Sequence, residues 1–384
     1  MSVEAGVGAS SATAAQYSAF IKQYIDGSSD FDGQLVTYVE QITGQAGLTD
    51  SEAKQAFAGM TSQQQRTFVE QLFFYLLQVN GTDAVKSGNN ADYAGAYSAI
   101  QTLFLKDNST SSTTNAFLAN GGDISLYFSQ IYTDDGGNIS LLAPGGEVNA
   151  GLAVAPTSYN LNKSPQDLGI VAEQTGTIDS FSYGDFEVNE SRVFSADGGD
   201  ILVWSQQGNI DAGRGSKTSL SAAAPTVTYD TNGFATVNYN PPTTGSGIQA
   251  LADTPGSTPG TVYLFAPHGV VNAGEAGIVA GNLVVGATQV LGTNNISVSG
   301  TSIGVPTTVS GLGTLALSGS NAAAGATSSA QSGISQNSQS QQQQAPQAAA
   351  ELRWLDVFVL GFGEQTCSAS DIECLKRQKL HPTH

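Results

Sequence analysis

The sequence predicts a mainly β protein built as a parallel β-solenoid, with a small all-α segment ahead of it. Three observations carry that prediction. A phrase recurs three times, from Gly137 to Gly151, Gly199 to Gly213 and Gly260 to Gly274, its copies starting 62 and 61 residues apart. Inside each copy the apolar residues alternate: Ile139 and Leu141 then Val148 and Ala150; Ile201 and Val203 then Ile210 and Ala212; Val262 and Leu264 then Val271 and Ala273. Period two is the mark of a strand with one buried face. The residues before about 105 instead follow the helical period. Hairpins packed as a sandwich also use short strands and turns. They do not require one phrase to recur in register, whereas stacked coils favour it, because equivalent positions lie above one another. Coils of roughly 20 residues would place the copies about three coils apart. Ile139, Ile201 and Val262 would then share one interior column. Gly145-Gly146, Gly208 and Gly269 fall where the chain must bend, and a positive φ there would cost glycine nothing.

Residues 1–108 form the helical segment. Tyr17, Phe20, Ile21, Tyr24 and Ile25 share a helical face, as do Leu35, Val39 and Ile42. Thr49 with Glu52, and Thr61 with Gln64, have the spacing of capping boxes. The second box opens the strongest helix, striped by Phe68, Leu72, Phe73, Leu76 and Leu77. Tyr93, Tyr97, Ile100 and Phe104 mark the last. These stripes read as a small helical core.

Residues 109–318 form the solenoid, interrupted at 222–260. There Thr226–Asp230 and Phe234–Tyr239 flank Asn232-Gly233, a strong hairpin signal. Pro241, Pro242, Pro255 and Pro259 make the rest of the interruption an irregular loop. The acidic turns Asp134-Asp135-Gly136-Gly137-Asn138 and Asp197-Gly198-Gly199-Asp200 could offer oxygen ligands to Ca²⁺. They match no calcium-loop pattern and read as turns. Residues 319–350, rich in Ala, Ser and Gln, cannot bury a core and read as a disordered linker. Residues 351–384 hold an apolar strand-like run, two cysteines and a basic end.

Composition narrows the function. Against 13 Lys and Arg stand 32 Asp and Glu, a formal charge of −19, which repels nucleic acid and anionic membrane surfaces alike. No run of 18 apolar residues is present, and Met1–Gly6 lacks the basic and apolar blocks of a signal peptide. No nucleophile elbow, zinc pattern or cofactor motif occurs. The carboxylates Asp179, Asp185, Glu187 and Glu190 are the one cluster that a solenoid polysaccharide enzyme could use. Lys163, Arg192, Arg214 and Lys217 are nearly the only cations of the shaft, which weakens a lyase reading. No catalytic residue, metal ligand, cofactor or small-molecule substrate is therefore assigned.

The stretch from Gly122, the three copies, the lead-in Tyr97–Phe104, and the ending Trp354–Glu364 with Cys367, Cys374 and Leu375–Gln378 resemble the C-terminal region of filamentous haemagglutinin family proteins. The resemblance implies a large exported adhesin with a right-handed parallel β-helix shaft, secreted through a partner pore in the outer membrane. It places the chain at the cell surface as the distal part of a longer precursor. A host or neighbouring-cell glycan or protein would be its receptor. Cys367 and Cys374 are the only cysteines, and in an oxidising compartment so close a pair readily forms a disulfide. By resemblance, Trp354, Leu355, Val357, Phe358, Val359 and Phe362 form a docking strand, and the cysteine pair a knot that tethers the shaft to the pore. A processed, functionless terminus is the plainer reading of the same residues. The shaft of a contact-dependent toxin is a further alternative, although so short a tail leaves little room for an effector domain.

Overall fold

The computed structural model describes residues 1–7, 11–104, 121–134, 136–152, 168–214, 226–229, 235–238, 245–252, 254 and 256–306. The linker at 319–350 and the tail at 351–384, with every residue assigned to docking or tethering, lie outside them. Met1–Thr308 is one compact unit.

In chain order the elements begin with β1 (Ser2–Glu4), α1 (Ser11–Phe20, continued by a wide turn to Asp26), α2 (Asp32–Thr43), α3 (Asp50–Ala58), α4 (Ser62–Ser87) and α5 (Ala94–Phe104). Then come β2 (Ile124–Ser125), β3 (Gln130–Thr133), β4 (Ile139–Ala143), β5 (Val148–Asn149), β6 (Gly169–Ala172), β7 (Ile178–Ser182), β8 (Phe186–Glu187), β9 (Arg192–Ser195), β10 (Ile201–Ser205) and β11 (Ile210–Asp211). After β12 (Thr226–Tyr229) and β13 (Ala235–Asn238) follow β14 (Gly247–Ala250), β15 (Thr261–Asn272), β16 (Ile278–Ala280), β17 (Asn282–Leu291), β18 (Ile296–Val298) and β19 (Ser302–Ile303).

Apart from β12 and β13, these strands pair in parallel and fall into three ladders visited in fixed rotation. The first ladder stacks β1, β4, β7, β10, the start of β15, the start of β17, and β19. The second stacks β2, β5, β8, β11 and the ends of β15 and β17. The third stacks β3, β6, β9, β14, β16 and β18. Because β15 and β17 run through the bend, the first two ladders form a single sheet. Ladders of this kind, revisited in order by a coiling chain, are consistent with the expected solenoid-like architecture.

Ile139, Ile178, Ile201, Val262 and Leu283 make one interior column, all fully buried. The copies are therefore not three coils apart. Ile139 and Ile201 are separated by two rungs, and Ile201 and Val262 are direct neighbours, about 4.8 Å apart in strand spacing. Undecorated coils span 19 to 24 residues. Longer connections stretch the rung from Asn138 to Thr177 to 39 residues and that from Asp200 to Thr261 to 61. A loop can lengthen at a corner without disturbing the ladder, so spacing in sequence does not measure height in the stack.

The interruption is also shorter than 222–260. Gly247–Ala250 is a third-ladder strand, paired on both sides and fully enclosed, and its position among Pro and Gly hid it from pattern reading. Within the interruption β12 and β13 pair antiparallel, Thr226 opposite Asn238, as a two-stranded sheet of their own.

The corner glycines are needed for a reason other than positive φ. Gly146, Gly208 and Gly269 lie outside the left-handed region. A Cβ on Gly146 would fall on the carbonyl of Gly122, on Gly208 against the backbone of Gly184, and on Gly269 on the carbonyl of Gly208. The column is bare because successive coils touch backbone to backbone there.

The helices lie against the first ladder. Leu142, Phe181, Leu202, Trp204, Phe265 and Val284 point outward from the first ladder and join the core made by Phe20, Leu35, Phe73, Leu77 and Phe104. Phe73 meets Phe181 edge-on at 5.4 Å, and Tyr93 meets Trp204 at 5.8 Å. Both capping boxes form, at Thr49 with Glu52 and at Thr61 with Gln64. Ile42, expected on the buried stripe of α2, is 45 % exposed near the helix end. The strand β1 is pinned from above: Arg66 pairs with Glu4 and Glu70, and the Ser2 hydroxyl donates to Glu70 at 3.0 Å.

Candidate functional site

With the helices over the first ladder, accessible strand surface lies elsewhere. The outward column of the second ladder runs Ser125, Asn149, Glu187, Asp211, Asn272. Its side chains hold one another across rungs. Asn149 Nδ2 donates to Glu187 Oε2 at 3.2 Å, Asn189 Nδ2 donates to both Glu187 and Asn149, and Asn272 Nδ2 donates to Asp211 Oδ2 at 3.0 Å. Each short strand then ends in a side-chain turn: Asn149, Asp211 and Asn272 accept from the N–H two residues on, in Gly151, Gly213 and Gly274. That bond explains the Asn/Asp-Ala-Gly ending of the repeated phrase. A parallel set marks the corner before this ladder, where Asp123, Asp185 and Asn209 accept from the backbone of Glu147, Asn209 and Val270. Crowding has an electrostatic cost. Glu147 has its carboxyl pKa raised, first by burial and then by Asp123, Glu187 and Asp185.

The four carboxylates singled out for hydrolysis are not gathered into one groove. Asp185 holds the corner, and Glu187 belongs to the amide ladder of the second face. Asp179 stands on the first ladder between Ser140 and Leu202. It accepts from the Thr177 hydroxyl at 3.4 Å and is pushed up to about 7, chiefly by burial, with Thr177 opposing and Asp200 adding to the shift. Glu190 is exposed at a bend. Arg192 is buried beside Phe194, its guanidinium 5.6 Å from the ring centre.

The acidic turns act in backbone bonding: Asp200 accepts from Thr261 N at 2.7 Å, and Asp197 from Thr254 N at 3.2 Å and from the Ser257 hydroxyl. Among the described residues no group of three or more His, Cys, Asp or Glu could hold a metal ion. His268 is exposed and stacks on Tyr97, whose hydroxyl is 3.4 Å from Nε2. What sequence reasoning missed is the helix-covered face. Its signal was present in the unbroken apolar run of Ile201, Leu202, Val203 and Trp204, which marks a strand buried on both sides.

Residues 198–307 match the family described as filamentous haemagglutinin family outer membrane protein. That stretch is similar to a filamentous haemagglutinin-family region. It takes in the second and third copies of the phrase and the final rungs from β10 to β19. The haemagglutinin match does not extend to the tail, which the sequence resemblance included. Comparison with curated proteins yields no match, and comparison with solved structures yields none. No helix among the described residues is long and apolar enough to cross a membrane.

Proposed function

We propose that this chain is the structural and adhesive C-terminal part of a large haemagglutinin-like adhesin, displayed at the cell surface or secreted, with no catalytic role. One observation carries the reading: the haemagglutinin-family match coincides with the stacked parallel rungs. In this reading the rungs form a right-handed β-helix, the hand that parallel crossover connections overwhelmingly adopt. The neutral and acidic second ladder, on which Glu187, Asp211 and Asn272 are half-buried, serves as a recognition surface for a glycan or protein on another cell. The tail acts as the tether, with Trp354, Leu355, Val357, Phe358, Val359 and Phe362 docking to the outer-membrane partner and Cys367–Cys374 as its knot.

The first test is adherence. Beads coated with the purified chain should bind cells above beads coated with an unrelated acidic β-protein, and equal binding would refute the adhesive role. The second is retention. In the full-length adhesin, replacing Cys367 and Cys374 by Ser should move protein from cell surface to medium, and unchanged attachment would refute the tether.

A further inference from the structure

Two helices of the outer layer leave a concavity between them. On α2, Gln34, Thr37, Tyr38 and Gln41 follow the spacing i, i+3, i+4, i+7, and on α4 Phe68, Gln71, Leu72 and Tyr75 repeat it. The two stripes face each other across a cavity of ≈ 250 Å³. Phe68 and Leu72 form its apolar floor, each 2 % exposed. The ring of Tyr75 stands at the rim, 41 % exposed, and Phe31 holds it edge-on at 6.2 Å and 81°.

The polar inventory of the rim is unusual for this acidic chain. Tyr38 donates its hydroxyl to Gln64 O at 2.6 Å, and Thr37 donates to Gly33 O at 2.9 Å. Those two are occupied. The carboxamides of Gln34, Gln41 and Gln71 have no protein partner among the described residues, and each offers a donor pair and an acceptor. No carboxylate, ammonium or guanidinium lines the cavity.

We infer that this cavity binds a neutral pyranose residue of a surface glycan. A pyranose has one face of C–H groups and a perimeter of hydroxyls. The C–H face, electropositive at its hydrogens, suits the negative face of the Tyr75 ring. The hydroxyls, each a donor and an acceptor, suit primary amides better than they suit ions. Convergent polar groups around an apolar floor are the usual make-up of a small-ligand site, and the volume here suits about one sugar ring. A docked peptide helix would need an apolar rim, which glutamines do not supply. The inference deepens the adhesive reading and rests on it for choosing a glycan over a free metabolite.

The experiment uses the purified full chain on an array of neutral and sialylated glycans, then titration with methyl glycosides of galactose, glucose, mannose and N-acetylglucosamine. Neutral hexose-terminated glycans should bind. Tyr75→Ala and Gln71→Leu should each weaken binding at least tenfold while the melting curve stays in place, and Tyr75→Phe should retain it. Gln71 is exposed on α4, so its variant keeps the test open if Tyr75→Ala alters folding. Binding to no neutral glycan, binding only to sialylated ones, or binding unchanged in both variants overturns the inference. Cell adherence that survives Tyr75→Ala removes this pocket and leaves the adhesive role standing. Sugar binding at the pocket by a chain that adheres to no cell does the reverse.

Discussion

Trp204→Ala tests whether the helices and the coil fold as one body. Trp204 is fully buried on the outward side of the first ladder. It touches Tyr93 at 5.8 Å, Tyr97 at 6.4 Å and Phe265 at 5.4 Å between ring centres, and its indole N–H donates to Gln206 Oε1 at 2.8 Å. Truncating a buried Trp to Ala costs about 3–5 kcal/mol, because a cavity replaces the ring. Leaving the Gln206 amide, only 5 % exposed, without its donor adds about 1 kcal/mol. Set against a stability of about 5–15 kcal/mol for a typical domain, that is a large share. Guanidinium unfolding would read the total, and hydrogen exchange resolved by peptide would read where it falls. Protection should drop together in α4, α5, β10 and β15. A cost below about 1 kcal/mol, or helices that keep their protection while the strands lose theirs, would refute the shared core.

Three further outcomes follow from single sites. Ser180 sits in the interior column between Leu141 and Val203 with its hydroxyl fully buried and unpartnered. Ser180→Ala should therefore stabilise the fold by about 1 kcal/mol, read as a higher denaturation midpoint at unchanged slope. Gly208→Ala should cost about 1–3 kcal/mol, since its Cβ would fall on the backbone of Gly184, and unchanged melting would refute backbone stacking at that corner. Asp179, with its pKa raised from 3.8 to about 7, binds a proton more tightly folded than unfolded. Its penalty on folding is absent below about pH 4, grows as pH rises and is complete above about pH 7. Asp179→Asn should raise the melting temperature at pH 8 and leave it nearly unchanged at pH 4, and an equal effect at both would exclude a titrating Asp179.

The parallel coiling was legible because the phrase recurs at alternating positions, and the caps of α3 and α4 because Thr49–Glu52 and Thr61–Gln64 are local patterns. The height of each copy in the stack was not. Rung order depends on which residues pair across the coil, and two connections of 39 and 61 residues mimic a period. The strand β14 was hidden because Gly247–Ala250 is too short to show alternation. Nor could α2 and α4 reveal a cavity, since each stripe alone looks like an ordinary buried face. Only their imperfect closure leaves Gln34, Gln41 and Gln71 around an open floor.

The strand β1 belongs to the first ladder although five helices separate it from β2. Ala5 N donates to Leu142 O at 2.8 Å, and the site where a Cβ on Gly122 would stand touches Gly6. The chain thus leaves the coil at Gly6 and re-enters it at Gly122, so the whole helical layer is a detour within a single turn. This fixes an order of events during folding. Strand β1 is synthesised well before Ile139–Ala143, its partner in the first ladder, and closing so long a loop delays that contact further. Helices α1 to α5 precede these strands in the chain, so the apolar face that they share with Phe181, Trp204 and Phe265 stays open until the third, fourth and fifth strands of the first ladder arrive. The helical layer therefore reaches its final packing only after that much of the ladder has formed.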